Sequence, residues 1–434
     1  MAYYQSSRSH LIRNYVLILL VLATAIFSRL VTAVGGPSVI NFLHFAFIIA
    51  LSVFIIPTIR SSFAKEILLG LGILLGIILV SALLNGAGII NVVLDFLLLG
   101  EPFMLLLALT GIPMLEKSSN RLKRWLIYFA STHIVFAYFQ YFVQGLTADD
   151  VKGIFLKMGA GHHVGGAIAF TVAIYILFSN VFRSPWLRFT LPLIFAYEVI
   201  MCDAKQVFAA FAAALVILLL TKVGDIGKII QYLVITVIAF GVLCWAAETI
   251  APALKLILEP VRVNGGLQGK SSVFTILPSY FHSQLNWLFG LGPGHTTSRL
   301  GWLIPTYINV LQPFGVTKTD IFNVIYAAQE ANYFSNSITG SSLFSPLFSW
   351  AGIWGDLGVV GLTSYLYLWL IVWRYCKNDL SRFFILTAFC FGLIFSWMEE
   401  PAYMLFMVSI VGIQWQESKQ KKEQQKKPIY NFTS

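Results

Sequence analysis

Leu288-Phe289-Gly290-Leu291-Gly292-Pro293-Gly294-His295-Thr296-Thr297-Ser298-Arg299 lies inside a polar and aromatic stretch, Ala251 to Phe344, that interrupts the chain. On either side the sequence is a succession of hydrophobic runs joined by short connections. One large insertion in such a chain is where surface chemistry sits most economically. The chain is 58% hydrophobic and only 11% charged, with a mean hydropathy of +0.79, which fits a polytopic membrane protein. A soluble protein carries roughly a quarter charged residues. The apolar runs approach the roughly 20 residues that cross a bilayer as helix.

Twelve hydrophobic segments are expected, at about 15–34, 39–58, 67–84, 92–113, 125–143, 162–181, 186–201, 206–221, 229–250, 356–373, 383–398 and 402–416. The first run has no small-residue cleavage site, so it reads as a retained helix rather than a signal peptide. Lys and Arg accumulate in short cytoplasmic loops. Alternate connections hold Arg8 and Arg13, Arg60 and Lys65, Lys117 to Arg124, Arg183 and Arg188, Lys222 and Lys228, and Arg374 to Arg382; the tail adds Lys419 to Lys427. Twenty of the 29 basic residues thus fall on one side, which places both termini in the cytoplasm and the 251–344 segment outside. The expected class is an all-α polytopic membrane protein with about twelve transmembrane helices and one large, partly helical extracytoplasmic loop between helices nine and ten. Helices one to nine occupy 1–250, the loop 251–344, helices ten to twelve 345–416, and a basic cytoplasmic tail 417–434. The four cysteines have no paired spacing and read as small core hydrophobes. The localisation this implies is a membrane crossed many times, and nothing points to nucleic acid.

Some ionisable residues oppose the topological bias. Segments seven and eight are only 16 residues each, about 24 Å at 1.5 Å per residue. Their joint, Cys202-Asp203-Ala204-Lys205-Gln206, therefore sits at the edge of the hydrocarbon, where charged groups are functional suspects. The structural alternative is an Asp203–Lys205 ion pair that closes the turn. Asp95 and Glu101 in segment four do not share one helical face and are expected to pair with a buried partner such as Arg29. Glu399 and Glu400 precede Pro401 in a tight outer turn, where hydration is easy.

Within the loop, Gly265-Gly266-Leu267-Gln268-Gly269 reads as a flexible lead-in and the chain to about Leu288 as helix-like, kinked or broken at Pro278, lying on the membrane rim. Gly290 to Gly294 reads as a tight turn whose exposed amides can cradle an anion, with Arg299 close by. A second helix is expected from Thr319-Asp320 to about Phe334. His162 and His163 are adjacent, so they are expected to point apart. His282 and His295 are the loop histidines, and His295, beside the glycine turn, is the better placed as a general base.

These residues resemble the O-antigen polymerase and O-antigen ligase superfamily of bacterial polysaccharide assembly. Gly269-Lys270, about twenty residues before Leu288 to Gly294, is similar to the family's basic residue and the glycine-rich signature that follows it. Trp354-Gly355-Asp356-Leu357-Gly358-Val359-Val360-Gly361-Leu362 is similar to the acidic, glycine-spaced run that opens the tenth helix. Asp203-Ala204-Lys205-Gln206 sits where members carry a small-plus-basic motif between helices seven and eight, and the layout covers the whole chain.

The resemblance implies a glycosyltransferase that polymerises undecaprenyl-diphosphate-linked repeat units at the outer face of the bacterial inner (plasma) membrane, building O-antigen, capsule or exopolysaccharide. Donor and acceptor are both lipid-linked, with membrane lipid, a flippase and a chain-length regulator as further partners. No cofactor and no metal are expected, because fixed cations can stabilise a leaving diphosphate. By resemblance Lys205 and Lys270 take the two diphosphate-binding positions, with Arg262 and Arg299 in reserve and Asp203, Gly292, Gly294 and Glu399 completing the substrate-binding set. The His-Asn pair that ligases carry before the acidic position is absent, since Leu347 stands there. The base is left among His295, Asp356 and Glu399, and a polymerase is favoured over a ligase. A lipid-linked-sugar transporter is the rival of another class; it would favour inverted repeats with interrupted helices.

Overall fold

The computed structural model describes residues 2–112, 114, 116–179, 181–222, 224, 226–249, 260–335 and 342–425. Every regular element among them is helical. The first nine helices are α1 (Ala2–Ala33), α2 (Leu43–Ile55), α3 (Ser62–Asn85), α4 (Ile89–Gly111), α5 (Glu116–Phe142), α6 (Gly161–Phe178), α7 (Pro185–Met201), α8 (Lys205–Leu220) and α9 (Ile226–Thr249). Five shorter helices follow: α10 (Pro260–Ser271), α11 (Val273–Ser279), α12 (Gln284–Phe289), α13 (Arg299–Leu311) and α14 (Ile321–Ser335). The chain closes with α15 (Ser349–Tyr375), α16 (Asp379–Gly392) and α17 (Pro401–Gln425).

Among the described residues six helical stretches are long and apolar enough to cross a membrane: Ile12–Ala33, Ser38–Thr58, Ser62–Asn85, Ile89–Gly111, Gly161–Phe178 and Ser349–Tyr375. Helices also occupy the other six expected segments, but α7, α8 and α16 are shorter, with 17, 16 and 14 residues. Large apolar side chains such as Leu69, Leu83, Leu193 and Leu370 are exposed on helix surfaces, which suits hydrocarbon rather than water.

The core forms around α4 and α17. α4 packs on α3, α2 and α17, and its second half from Leu97 to Gly111 is buried throughout. Its C-terminal carbonyls would be orphans in an apolar core. Gln416 on α17 satisfies them, donating Nε2 to Leu109 O at 2.6 Å and Ile112 O at 2.9 Å. α3 ends where Gly86 takes the left-handed conformation, φ 63°, as a helix C-cap.

The decisive departure from regularity is in α15. Gly358 has φ 66° and ψ −167°, which breaks the helix and frees two carbonyls. Gly355 O accepts from Leu291 N at 2.9 Å, and Asp356 O accepts from Gly292 N at 3.0 Å and from Ser81 Oγ at 2.8 Å. The backbones touch so closely that a Cβ at Gly358 would run into Leu288, and one at Gly290 into Asp356.

The 251–344 segment differs from expectation in several respects. Gly265 and Gly266 are helical, in α10, and the Phe344 ring stands where a Cβ on Gly266 would lie. The helical stretch expected to Leu288 does break just after Pro278, where α11 ends at Ser279, and it is interrupted once more at Ser272. Val273, Leu277, Leu291, Ile321, Ile325 and Leu347 form a small core of their own with the start of α15. α14 starts within two residues of the expected helix, whereas α13 was not anticipated.

Candidate functional site

The site is assembled where the glycine turn enters the break in α15. Asp356 is 1% exposed. Its Oδ2 accepts from Gly294 N at 2.7 Å, and its Oδ1 from Thr296 N at 2.8 Å and Thr296 Oγ1 at 2.5 Å. The amides of the turn, candidates for cradling an anion, donate to the protein's own Asp356 carboxyl group. The amides of Gly292 and Gly294, candidates for substrate, are spent on Asp356, and both of its carboxyl oxygens take donors from the turn.

His295 is fixed in the same way. Nδ1 lies 2.9 Å from Leu291 O, which can only accept, so Nδ1 carries the hydrogen. Nε2 takes the Thr317 hydroxyl at 2.8 Å, and that hydroxyl also accepts from Gly88 N at 3.0 Å. Asn91 completes the tie, donating to Pro293 O and Thr317 O at 2.9 Å each. Both ring nitrogens are thus committed to holding the α3–α4 turn against the glycine turn.

Arg299 starts α13 directly beyond this clamp and is 3% exposed. Its backbone N–H donates to Glu399 Oε2 at 2.7 Å, and its guanidinium pairs with Glu400. Burial lowers the pKa of Arg299 from its ordinary value, and Glu400 opposes that shift. Glu399 and Glu400 are buried, contrary to the expectation of easy hydration, because Arg299 brings them in. Burial pushes the Glu399 carboxyl up to about 8, with the Arg299 N–H pulling it down and Asp356 pushing it further up.

A narrow cleft, partly open to solvent, lies against Arg299. Arg29, Asn41, His44, Tyr307 and Glu400 also line it. Arg29 does not pair with Asp95 or Glu101; it donates to Tyr307 Oη at 3.1 Å, as does Asn41 at 3.0 Å. Glu101 instead holds His44 Nδ1 at 2.6 Å. Sequence reading assigned no role to His44, Asn41 and Tyr307. A histidine within an apolar helix was the signal available for the first.

The lysine candidates stand apart from this cluster. Lys205 Nζ pairs with Asp203 Oδ2 at 2.7 Å, the turn-closing arrangement, with Asp203 at φ 52°. Nearby, His162 and His163 do not diverge: their ring centroids are 3.8 Å apart. Lys270 Nζ donates to Leu343 O at 2.8 Å and lies 4.6 Å from the Phe348 ring centroid. It makes no ion pair among the described residues, and burial pushes its ammonium down to about 8. Arg262 falls in α10, its side chain outside the described residues.

No protein-family model matches the chain, and no curated protein matches it by sequence.

Proposed function

We propose that the protein is a membrane glycosyltransferase that polymerises undecaprenyl-diphosphate-linked oligosaccharide repeat units at the outer face of a bacterial plasma membrane. In this reading the chain has twelve spans, both termini are cytoplasmic, and the 251–344 segment faces outward. The carrying observation is the convergence of Arg29 and Arg299 on one cleft, with Arg299 anchored by Glu399 and Glu400 directly after the Asp356-clamped turn. Outside the cytoplasm the energy for a glycosidic bond travels in the lipid-diphosphate linkage. Its leaving group gains negative charge, and preorganised guanidinium groups are suited to receive it. Lys205 and Lys270 are the further cations that the family resemblance brings forward. Leu347, where ligases carry their base, is buried in apolar surroundings, which supports a polymerase over a ligase.

The test is purified protein in nanodiscs given a defined undecaprenyl-diphosphate oligosaccharide. A ladder of products longer by whole repeats is expected. A single transfer to a different terminal acceptor indicates a ligase, and lipid-linked sugar crossing a bilayer with no new bond indicates a transporter.

A further inference from the structure

Resting on that glycosyltransferase reading, we propose that His44, oriented by Glu101, is the general base that takes the proton from the acceptor sugar hydroxyl. His44 is the second residue of α2 and Glu101 lies near the middle of α4, and both are buried. Their contact, Nδ1 to Oε1 at 2.6 Å, is short, as charge-assisted bonds are. With Glu101 ionised its oxygen accepts, which places the hydrogen on Nδ1 and the lone pair on Nε2. Nε2 has no hydrogen-bond partner, yet it is not among the sealed, unpaired nitrogen atoms of the core, and His44 lines the cleft. A base with its far nitrogen fixed by a carboxylate and its near nitrogen open to a cavity is the arrangement nucleophile activation requires.

Two other histidine–carboxylate pairs lack that opening. His133 and Glu198 are sealed, and His133 Nδ1 accepts from Ile154 N at 3.4 Å. His162 binds Asp149 through Nε2, and its Nδ1 is buried. His295, the loop histidine beside the turn, has neither nitrogen free.

The lining of the cleft carries groups that suit a sugar hydroxyl. Asn41 and Tyr307 offer neutral hydrogen-bonding groups, Phe42 an apolar face, and Arg29 and Arg299 positive charge. In the step, the acceptor hydroxyl gives its proton to His44 Nε2 while its oxygen bonds the donor's anomeric carbon. The bond from that carbon to the diphosphate oxygen breaks, and its electron pair leaves with undecaprenyl diphosphate. The proton then passes from the imidazolium to water. Glu101 is a positioning residue that fixes the tautomer and steadies the imidazolium.

The experiment compares wild type, His44→Ala, His44→Gln and Glu101→Gln in nanodiscs with the defined undecaprenyl-diphosphate oligosaccharide. Both His44 variants are expected to lose about 10²-fold or more in kcat, with donor KM within a few-fold of wild type. Glu101→Gln is expected to lower kcat by less. Added imidazole is expected to restore part of the turnover of His44→Ala and none of that of Glu101→Gln. If His44→Ala does not fold, His44→Gln carries the comparison, with monodispersity and thermal unfolding as controls. Wild-type turnover in a folded His44 variant overturns the proposal, and so does loss in a folded His44→Ala that imidazole leaves untouched, which marks a merely structural pair. If wild type itself forms no glycosidic bond, the glycosyltransferase reading fails and the base falls with it.

Discussion

Asp356 is buried and takes three donors from Gly294 and Thr296 on its two oxygens. Removing the carboxylate leaves two amides unpaired inside the protein, each costing about 1–3 kcal/mol. Asp356→Ala is therefore expected to lower the Tm clearly. The buried cysteines Cys202, Cys376 and Cys390 provide the readout, through a dye that fluoresces on thiol exposure during heating. An unchanged Tm would contradict the clamp.

Lys270 makes a prediction of opposite character. Its folded-state pKa of about 8 lies below the ordinary 10.5, so folding disfavours its charged form. Between those two values the unfolded chain keeps a proton that the folded chain has shed, so Lys270's contribution to stability rises with pH through that window. Any function that needs the cation fades as pH climbs through about 8. Lys270→Arg should move the alkaline limb of the pH–rate profile upward; a limb that stays put means the charge is not used.

At the scale of elements, the break in α15 couples two distant segments. Gly358 adopts a positive φ with Leu288 backbone where its Cβ would stand. Gly358→Ala is expected to abolish folding or detach the turn, read as early thiol exposure and increased proteolysis between α12 and α13. A normally folded, active Gly358→Ala would show that the break is dispensable.

The sequence made the long helices legible through uninterrupted apolar runs and made the glycine turn legible through its spacing. It did not disclose that Gly358 breaks a helix, because a lone glycine in an apolar run reads as helix interior until a second backbone is found against it. Nor did it disclose α13, although Leu300, Leu303, Ile304, Tyr307 and Leu311 recur at helical spacing. Among site residues, Arg299 was visible as a cation opposing the topological bias, whereas Glu399 read as an easily hydrated turn residue. The meeting of Arg29, His44, Glu101 and Tyr307 was not, since those residues are hundreds of positions apart in part and no local pattern links them.

For the whole molecule, the charge-derived topology makes a direct prediction. With the native cysteines replaced, Ser283→Cys in intact cells with a permeabilised outer envelope should react with a membrane-impermeant maleimide. Ser418→Cys should react only once the plasma membrane is opened. Reaction of Ser418→Cys from outside would reverse the orientation and remove the reason for a lipid-linked donor.

The most direct measurement of the proposed chemistry is stoichiometric. Purified protein is incubated with an undecaprenyl-diphosphate oligosaccharide, and released undecaprenyl diphosphate and new glycosidic bonds are counted together. One diphosphate released for each bond formed, in a ladder of whole repeats, is the predicted result. Diphosphate released without glycan extension, or no release at all from a folded protein, would contradict it.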